Sequence, residues 1–301
     1  MTALTCRPRY EGANIRTWIG FKQFMLLAEE AVLAWFRERG LGPQRLYHEH
    51  GLGLEIVDSS VQLPALLEVD DEVRAEVSNT APGRFAVTGS LVRDGAPVVV
   101  LRARVTVALV REHDAPAPPA AVAGLVAPDV AAARTVAEAG DVAARAGQDV
   151  RSALAPPGSG AFLWSWRVPY FACHFSDRIQ HSAYVRALEE VVDRFLFDRG
   201  LSIRTLLAGR AWIPVVSRAR VQLVADAHME EVVHTAFTVT DVLKRSAYDA
   251  RMDCYVERDG RLVRCATARI LHGYALSRGE GAGRLVDLDD ETIAALTGDG
   301  R

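Results

Sequence analysis

Shifted against itself by 160 positions, this chain meets its own pattern without a gap: CRPRYEGANIRTWIGFKQFMLLAEE falls on WRVPYFACHFSDRIQHSAYVRALEE. Arg7, Tyr10, Ile19, Glu29, Glu30 and Val32 coincide with Arg167, Tyr170, Ile179, Glu189, Glu190 and Val192. Arg39-Gly40-Leu41 then meets Arg199-Gly200-Leu201, and Val61-Gln62-Leu63 meets Val221-Gln222-Leu223. Beyond Val73/Val233 the second copy gains five residues before Arg93-Asp94-Gly95 matches Arg258-Asp259-Gly260. One register held over so long a stretch means duplication, and a duplicated chain must fold as two like units.

Within each copy the order reads as one helix, then strands. Val185, Leu188, Val192, Phe195 and Leu196 recur at three-and-four spacing, the mark of a helix with one buried face. Gly200, like Gly40, stands where a left-handed cap ends a helix. Alternating β-rich runs follow, and the Arg-Asp-Gly triplets between the last two read as hairpin turns. The expected fold class is therefore α+β, each half a long helix packed on an antiparallel sheet. Boundaries are set at 1–112 and 164–276 for the two domains, with 113–163 an Ala/Pro-rich linker and 277–301 a loosely held acidic tail. Apolar residues at helical spacing predict a bridging helix near Asp129 to Leu154.

Composition excludes several functions. The net charge of −3 gives no electrostatic reason to bind nucleic acid or an anionic membrane. The N-terminal MTALTCRPRY lacks the apolar core of a signal peptide, and no run has the length of a membrane span, so a cytoplasmic protein is expected. Cys6, Cys173, Cys254 and Cys265 show no metal-ligand spacing. No metal and no cofactor are expected. Cys254 and Cys265 flank a turn and read as a pair of buried thiols.

The opening of each copy resembles the 4-hydroxybenzoyl-CoA thioesterase-like branch of the hotdog superfamily. That family runs from an aromatic-ended strand through a loop D-x-x-G-H-V-N-N into Y-L-x-x-x-E-E at the start of a helix. Tyr170 looks like the strand end, Ile179 the loop valine, and Tyr184-Val185 with Glu189-Glu190 the helix start. The likeness covers roughly residues 6–110 and 166–275 and implies a tandem, or double, hotdog that hydrolyses acyl-CoA or acyl-carrier-protein thioesters. Aligned without gaps, His174 takes the place of the family's catalytic aspartate, Asp177 that of the glycine and His181 that of the second asparagine. A three-residue shortening instead places Asp177 on the aspartate and His181 on the loop histidine.

Either way, His174, Asp177 and His181 stand where the resemblance puts catalysis, and copy one offers Asn14, Thr17 and Phe21 in their place. A carboxylate and two imidazoles ahead of a helix N-terminus supply a base and a site for an oxyanion. The expectation is one working pocket, built on the copy-two loop and completed by copy one. Asn14, Thr17, Tyr47, Ser59, Ser60 and Tyr184 are the candidate substrate contacts; Glu29 and Glu189 are read as bracing the helix or facing water. Two other readings stay open: a hydratase, dehydratase or Michael-addition enzyme on an unsaturated thioester, and a non-catalytic acyl-binding protein. Asp177-Arg-Ile-Gln-His181 lacks the Asn-Pro of the hydratase pattern. Assembly of the double unit into a homo-oligomer is compatible with all three.

Overall fold

The computed structural model describes residues 2–136 and 149–298. The first half runs β1 (Thr2–Cys6), α1 (Phe21–Glu38), α2 (Pro43–His50), β2 (Leu52–Gln62), β3 (Val73–Ala81), β4 (Arg84–Arg93) and β5 (Ala96–Arg111). A connector holds α3 (Ala120–Ala123), β6 (Val126–Ala127), α4 (Val130–Ala133) and α5 (Val150–Leu154). The second half repeats the order as β7 (Phe162–Arg167), α6 (His181–Asp198), α7 (Ile203–Arg210), β8 (Trp212–Leu223), β9 (Val232–Leu243), β10 (Ala247–Arg258) and β11 (Arg261–Leu276), and α8 (Asp290–Thr297) follows.

The strands form one sheet in the order β1-β3-β4-β5-β2-β8-β11-β10-β9-β7, a palindrome about the β2–β8 seam. Across that seam Ser60 faces Arg220, its own repeat mate, while Asp58 faces Gln222 and Gln62 faces Arg218. A pseudo-twofold axis therefore passes through the 60/220 pair, and the 160-residue repeat becomes a spatial symmetry. The bulges obey it too. Val57 and its mate Ser217 are skipped in the central pairings, as are Val100 and Cys265 in the outer ones. Each bulge bends its sheet over the helix it carries.

Both long helices bury one stripe, Phe24, Met25, Ala28, Ala31, Val32 and Phe36 in α1, and Tyr184, Leu188, Val191, Val192 and Phe195 in α6. Gly40 and Gly200 follow them with φ of 67° and 76°, the left-handed conformation that glycine takes without strain. No side chain caps the N-terminus of either helix. The architecture is a double hotdog.

Three expectations change. The Ala/Pro-rich linker contributes a strand of its own: β6 joins β5 in parallel through Leu109/Val126 and Val110/Ala127. The predicted helix near Asp129 to Leu154 is described only as the short turns α4 and α5; residues 137–148 lie outside the described residues. The acidic tail is not loose up to residue 298: Leu288 and Leu296 are buried in the core. The five-residue insertion explains why. It lengthens the β9–β10 hairpin, and Arg245 at its tip bonds the Leu288 carbonyl at 3.1 Å and the Asp290 carboxylate at 2.7 Å. Arg210 holds Asp289 at 2.8 Å and Glu291 at 3.0 Å, so the tail's acidity is matched by arginines. Cys254 and Cys265 are both buried and free, and Cys265, in its bulge, turns its thiol to the Cys254 carbonyl rather than its sulfur. Among the described residues no helix is long and apolar enough to cross a membrane.

Candidate active site

Because the seam sets α1 beside α6, each helix N-terminus meets the middle of the other helix, and two symmetry-related cavities form there. One, of about 210 Å³, is lined by His174, Phe175, Gln180, His181 and Ser182 of the second half and by Glu29, Leu54 and Ile56 of the first. Its mate, of about 600 Å³, is lined by Asn14, Gly20, Phe21, Glu189, Pro214 and Val216 among others. The two share mate positions, among them 14/174, 20/180, 21/181 and 29/189, and the larger extends beyond them to Leu63, Ile270 and Leu285.

In the smaller cavity His174 is held by the carboxylate of Glu55, both of whose oxygens lie 3.0 Å from its Nε2. Glu55 is fully buried on β2 and is itself bonded by Arg178, at 3.2 Å. Arg178, 7% exposed, reaches Glu112 and Asp226 as well. Three carboxylates on one guanidinium raise its pKa, though burial opposes them. Gly53 makes room for this: a Cβ there would lie 2.6 Å from Glu112 and 3.1 Å from the Phe175 ring. Phe175 takes a φ of 60°, rare for so bulky a residue, with its ring 4.4 Å from that of His174.

Glu29 comes to this cavity from the middle of α1. Among the described residues no hydrogen bond or ion pair reaches it, and burial pushes its carboxyl up to about 7. His174 and Arg186 oppose the rise, while Glu30 and Glu55 add to it. The mate Glu189 is ion-paired to Lys22 at 2.8 Å. In the second half Ser182 stands where Lys22 stands in the first, so Glu29 has no such cation. Burial holds the His181 imidazole neutral, at about 4. Its Nε2 lies 3.3 Å from the Val221 carbonyl, which only accepts, so that nitrogen carries the proton. The Gln180 side chain accepts from the Ser182 hydroxyl at 2.7 Å and donates to the Phe171 carbonyl at 3.0 Å. It leaves the first turn of α6 uncapped at the cavity wall, where the helix dipole favours negative charge.

The structure thus brings His174 and His181 together and leaves Asp177 outside. Asp177 is exposed and paired with His228 at 3.1 Å. The same clip exists in the first half, where Thr17 donates to Glu68, the mate of His228. Position 17/177 ties down a loop in both halves, and neither residue lines either of these two cavities. Asn14 does line the larger one. Tyr47 lies behind the smaller, its ring stacked on Phe175 at 5.8 Å. Ser59 is buried in the seam, and Ser60 lines a separate groove with Arg102, Arg104, Arg218 and Arg220. Tyr184 is in the core with its hydroxyl beside Cys265. Glu29 and Glu55 were not among the sequence candidates. Among the described residues no cluster could hold a metal ion.

Residues 166–296 match the family model of the Thioesterase-like superfamily. No protein of curated function matches the chain in sequence. Among solved structures, the 12:0-ACP thioesterase from Umbellularia californica is similar over 90% of this chain and 93% of its own, with 12% identity and a TM-score of 0.60. An acyl-ACP thioesterase from Bacteroides thetaiotaomicron is similar over 90% and 96%, with 9% identity and a TM-score of 0.54. At these identities the likeness concerns the fold, and it spans both halves.

Proposed function

We propose that this protein hydrolyses acyl thioesters of coenzyme A or a carrier protein, in the one cavity that keeps a base beside an uncapped helix N-terminus. The observation that carries this reading is Glu29: a half-buried carboxyl with no hydrogen bond or ion pair among the described residues, raised to about 7 and lining the cavity with His174 and the first turn of α6. A base poised near the working pH is what water activation needs. Glu29 takes a proton from water as the water oxygen adds to the thioester carbonyl. The oxyanion forms at the N-terminus of α6, where backbone N–H groups and the helix dipole stabilise it. Collapse of the adduct breaks the C–S bond, and the thiolate leaves with the proton that Glu29 carries.

His174 is a positioning residue. Glu55 fixes its ring, which lies across the cavity from Glu29 and opposes the rise of that carboxyl. Phe175, backed by Tyr47, covers the His174 face. Butyryl- and crotonyl-thioesters, offered separately, test the reaction class. Hydrolysis releases thiol from both at similar rates, and kcat/KM rises with pH through about 7 as Glu29 ionises. Gain of water by the crotonyl group while the butyryl thioester stays intact refutes hydrolysis.

A further inference from the structure

The open face of the sheet, turned away from α1 and α6, carries a charge pattern that the proposed reaction does not use. Along the central strands Val61, Ala103, Ala219 and Ile270 are buried in the core, so the residues alternating with them face outward. These outward residues line a groove of about 540 Å³ over the seam, with Arg102, Arg104, Arg218, Arg220 and Arg269 among them. All five arginines are exposed, and Asp249 is the one acid among the described residues of the lining. The whole chain has 38 acidic residues against 35 basic ones, so this local excess of cations runs against the overall charge. The groove shares no lining residue with the cavity of Glu29 and His174.

Strand register sorts these arginines into two rows across β2. In one row Gln62 lies between Arg102 and Arg218. In the other Ser60 lies between Arg104 and Arg220, and Arg269 faces Arg220 from β11. Like charges directly opposite in a ladder are destabilising, yet Arg269 has Arg220 on one side and Arg251 on the other. Asp58 neutralises Arg220 at 2.6 Å, and Asp253 neutralises Arg251 at 2.7 Å. Among the described residues Arg102, Arg104, Arg218 and Arg269 form no ion pair, and none has a contact beyond those described. Carboxylates bound the patch: Asp58, bonded at 3.0 Å by Thr135 of the connector, at one end and Asp249 at the other. Four guanidinium groups without counter-charge favour an anion, and the planar fork of arginine matches phosphoryl oxygens. A second copy of this face would set arginine against arginine. Each row flanks an uncharged hydrogen-bonding side chain with two cations, and the rows stand about 7 Å apart along the strands.

We propose that this groove binds a small molecule carrying two phosphoryl groups, one in each row, at a site separate from the thioester cavity. Arg102 and Arg218 clasp one group above Gln62. Arg104 and Arg269 take the other beside Ser60. The bounding carboxylates limit the site to a ligand of this size.

Calorimetric titration with fructose 1,6-bisphosphate, fructose 6-phosphate and fructose varies the number of phosphoryl groups on one scaffold. The bisphosphate binds about tenfold or more tighter than the monophosphate, as a second set of charge-assisted hydrogen bonds requires. Fructose does not bind, and added salt weakens both phosphates. Arg102→Gln/Arg218→Gln and Arg104→Gln/Arg269→Gln each disable one row and bring the bisphosphate down to the affinity of the monophosphate. Either pair suffices if the other fails to fold. Arg204→Gln, at an exposed arginine of α7 outside the groove, leaves binding unchanged. Glu29→Gln also leaves it unchanged, so the result does not depend on the reaction assigned to the other cavity. No binding of the bisphosphate at millimolar concentration, equal affinity for the monophosphate, or full affinity in both double variants overturns the proposal. An oligoglutamate peptide that binds more tightly than the bisphosphate assigns the face to an acidic protein and overturns it as well. Loss of binding in Glu29→Gln overturns the separation of the two sites.

Discussion

Replacing Glu29 by glutamine should strengthen the fold and weaken the enzyme, and the strengthening should depend on pH in a defined direction. In the unfolded chain this carboxyl titrates near 4.5, and in the native protein at about 7. Its folded value is raised, so folding favours the protonated form, and stability is lost as pH rises through the window between the two values. Glutamine is an uncharged near-isostere of the protonated acid and feels no such loss. Full displacement corresponds to on the order of 3 kcal/mol, most of it developing between pH 5 and pH 8, and residual water at the half-buried carboxyl reduces it to roughly 2 kcal/mol. For a chain of this size that is a difference of several degrees in Tm. Thermal denaturation of both proteins from pH 5 to pH 9 reads it directly: the curves nearly coincide at pH 5, and the variant melts progressively higher above it. Hydrolysis by the variant should fall by at least about a hundredfold, the size of a lost general base. A Tm difference that is flat in pH, or a wild type that is the more stable at pH 8, refutes the raised carboxyl at Glu29. A variant that gains stability but keeps its hydrolysis rate refutes the catalytic assignment alone.

Other perturbations separate the remaining roles. His174→Ala should lower kcat by about a hundredfold, whereas Asp177→Asn, at a loop clip shared with Thr17, should stay within a few-fold of wild type in the same assay. Arg178→Met leaves Glu55, Glu112 and Asp226 without their shared cation. It should cost about 3–5 kcal/mol in chemical denaturation. On the acid side, His181 is held neutral at about 4, below its usual 6.5. The unfolded state then binds the extra proton, so stability falls as pH drops from 6.5 toward 4, and His181→Asn should flatten that limb.

What the sequence disclosed and what it hid divide along contact range. The 160-residue register and the helix stripes are local or self-comparing, and both are found in the structure. Glu29 was invisible because its environment is made by a helix from one half meeting a loop from the other. Nothing near it in sequence announces a raised pKa. A signal did exist in the repeat. Glu29 and Glu189 are identical, but Lys22 faces one and Ser182 the other, so one carboxylate has lost a cation that the other keeps. The repeat also warned against Asp177, because a residue whose mate is Thr17, clipped to the mate of His228, is doing a task common to both halves. Tyr184 aligns with a family motif at the helix start, and three residues into α6 its side chain is buried in the core, which a motif alignment does not reveal.

The buried charges explain why fusion matters to such a site. Glu55 and Glu112 come from the first half, and Arg178, Asp226 and His174 from the second, so the network that orients His174 spans the seam. In a symmetric dimer of identical chains, any residue introduced for one cavity appears in both. Each copy of the network then bears its own desolvation cost, which for buried ion pairs can exceed the attraction gained. After fusion, positions 55, 178 and 226 drift independently of 215, 18 and 66. One cavity keeps Glu, Arg and Asp; the other replaces them with Val, Trp and Leu and regains an apolar core, with Trp18, Ile213 and Ala275 packed together. The desolvation cost is then borne once, on the side where the proposed reading places the chemistry.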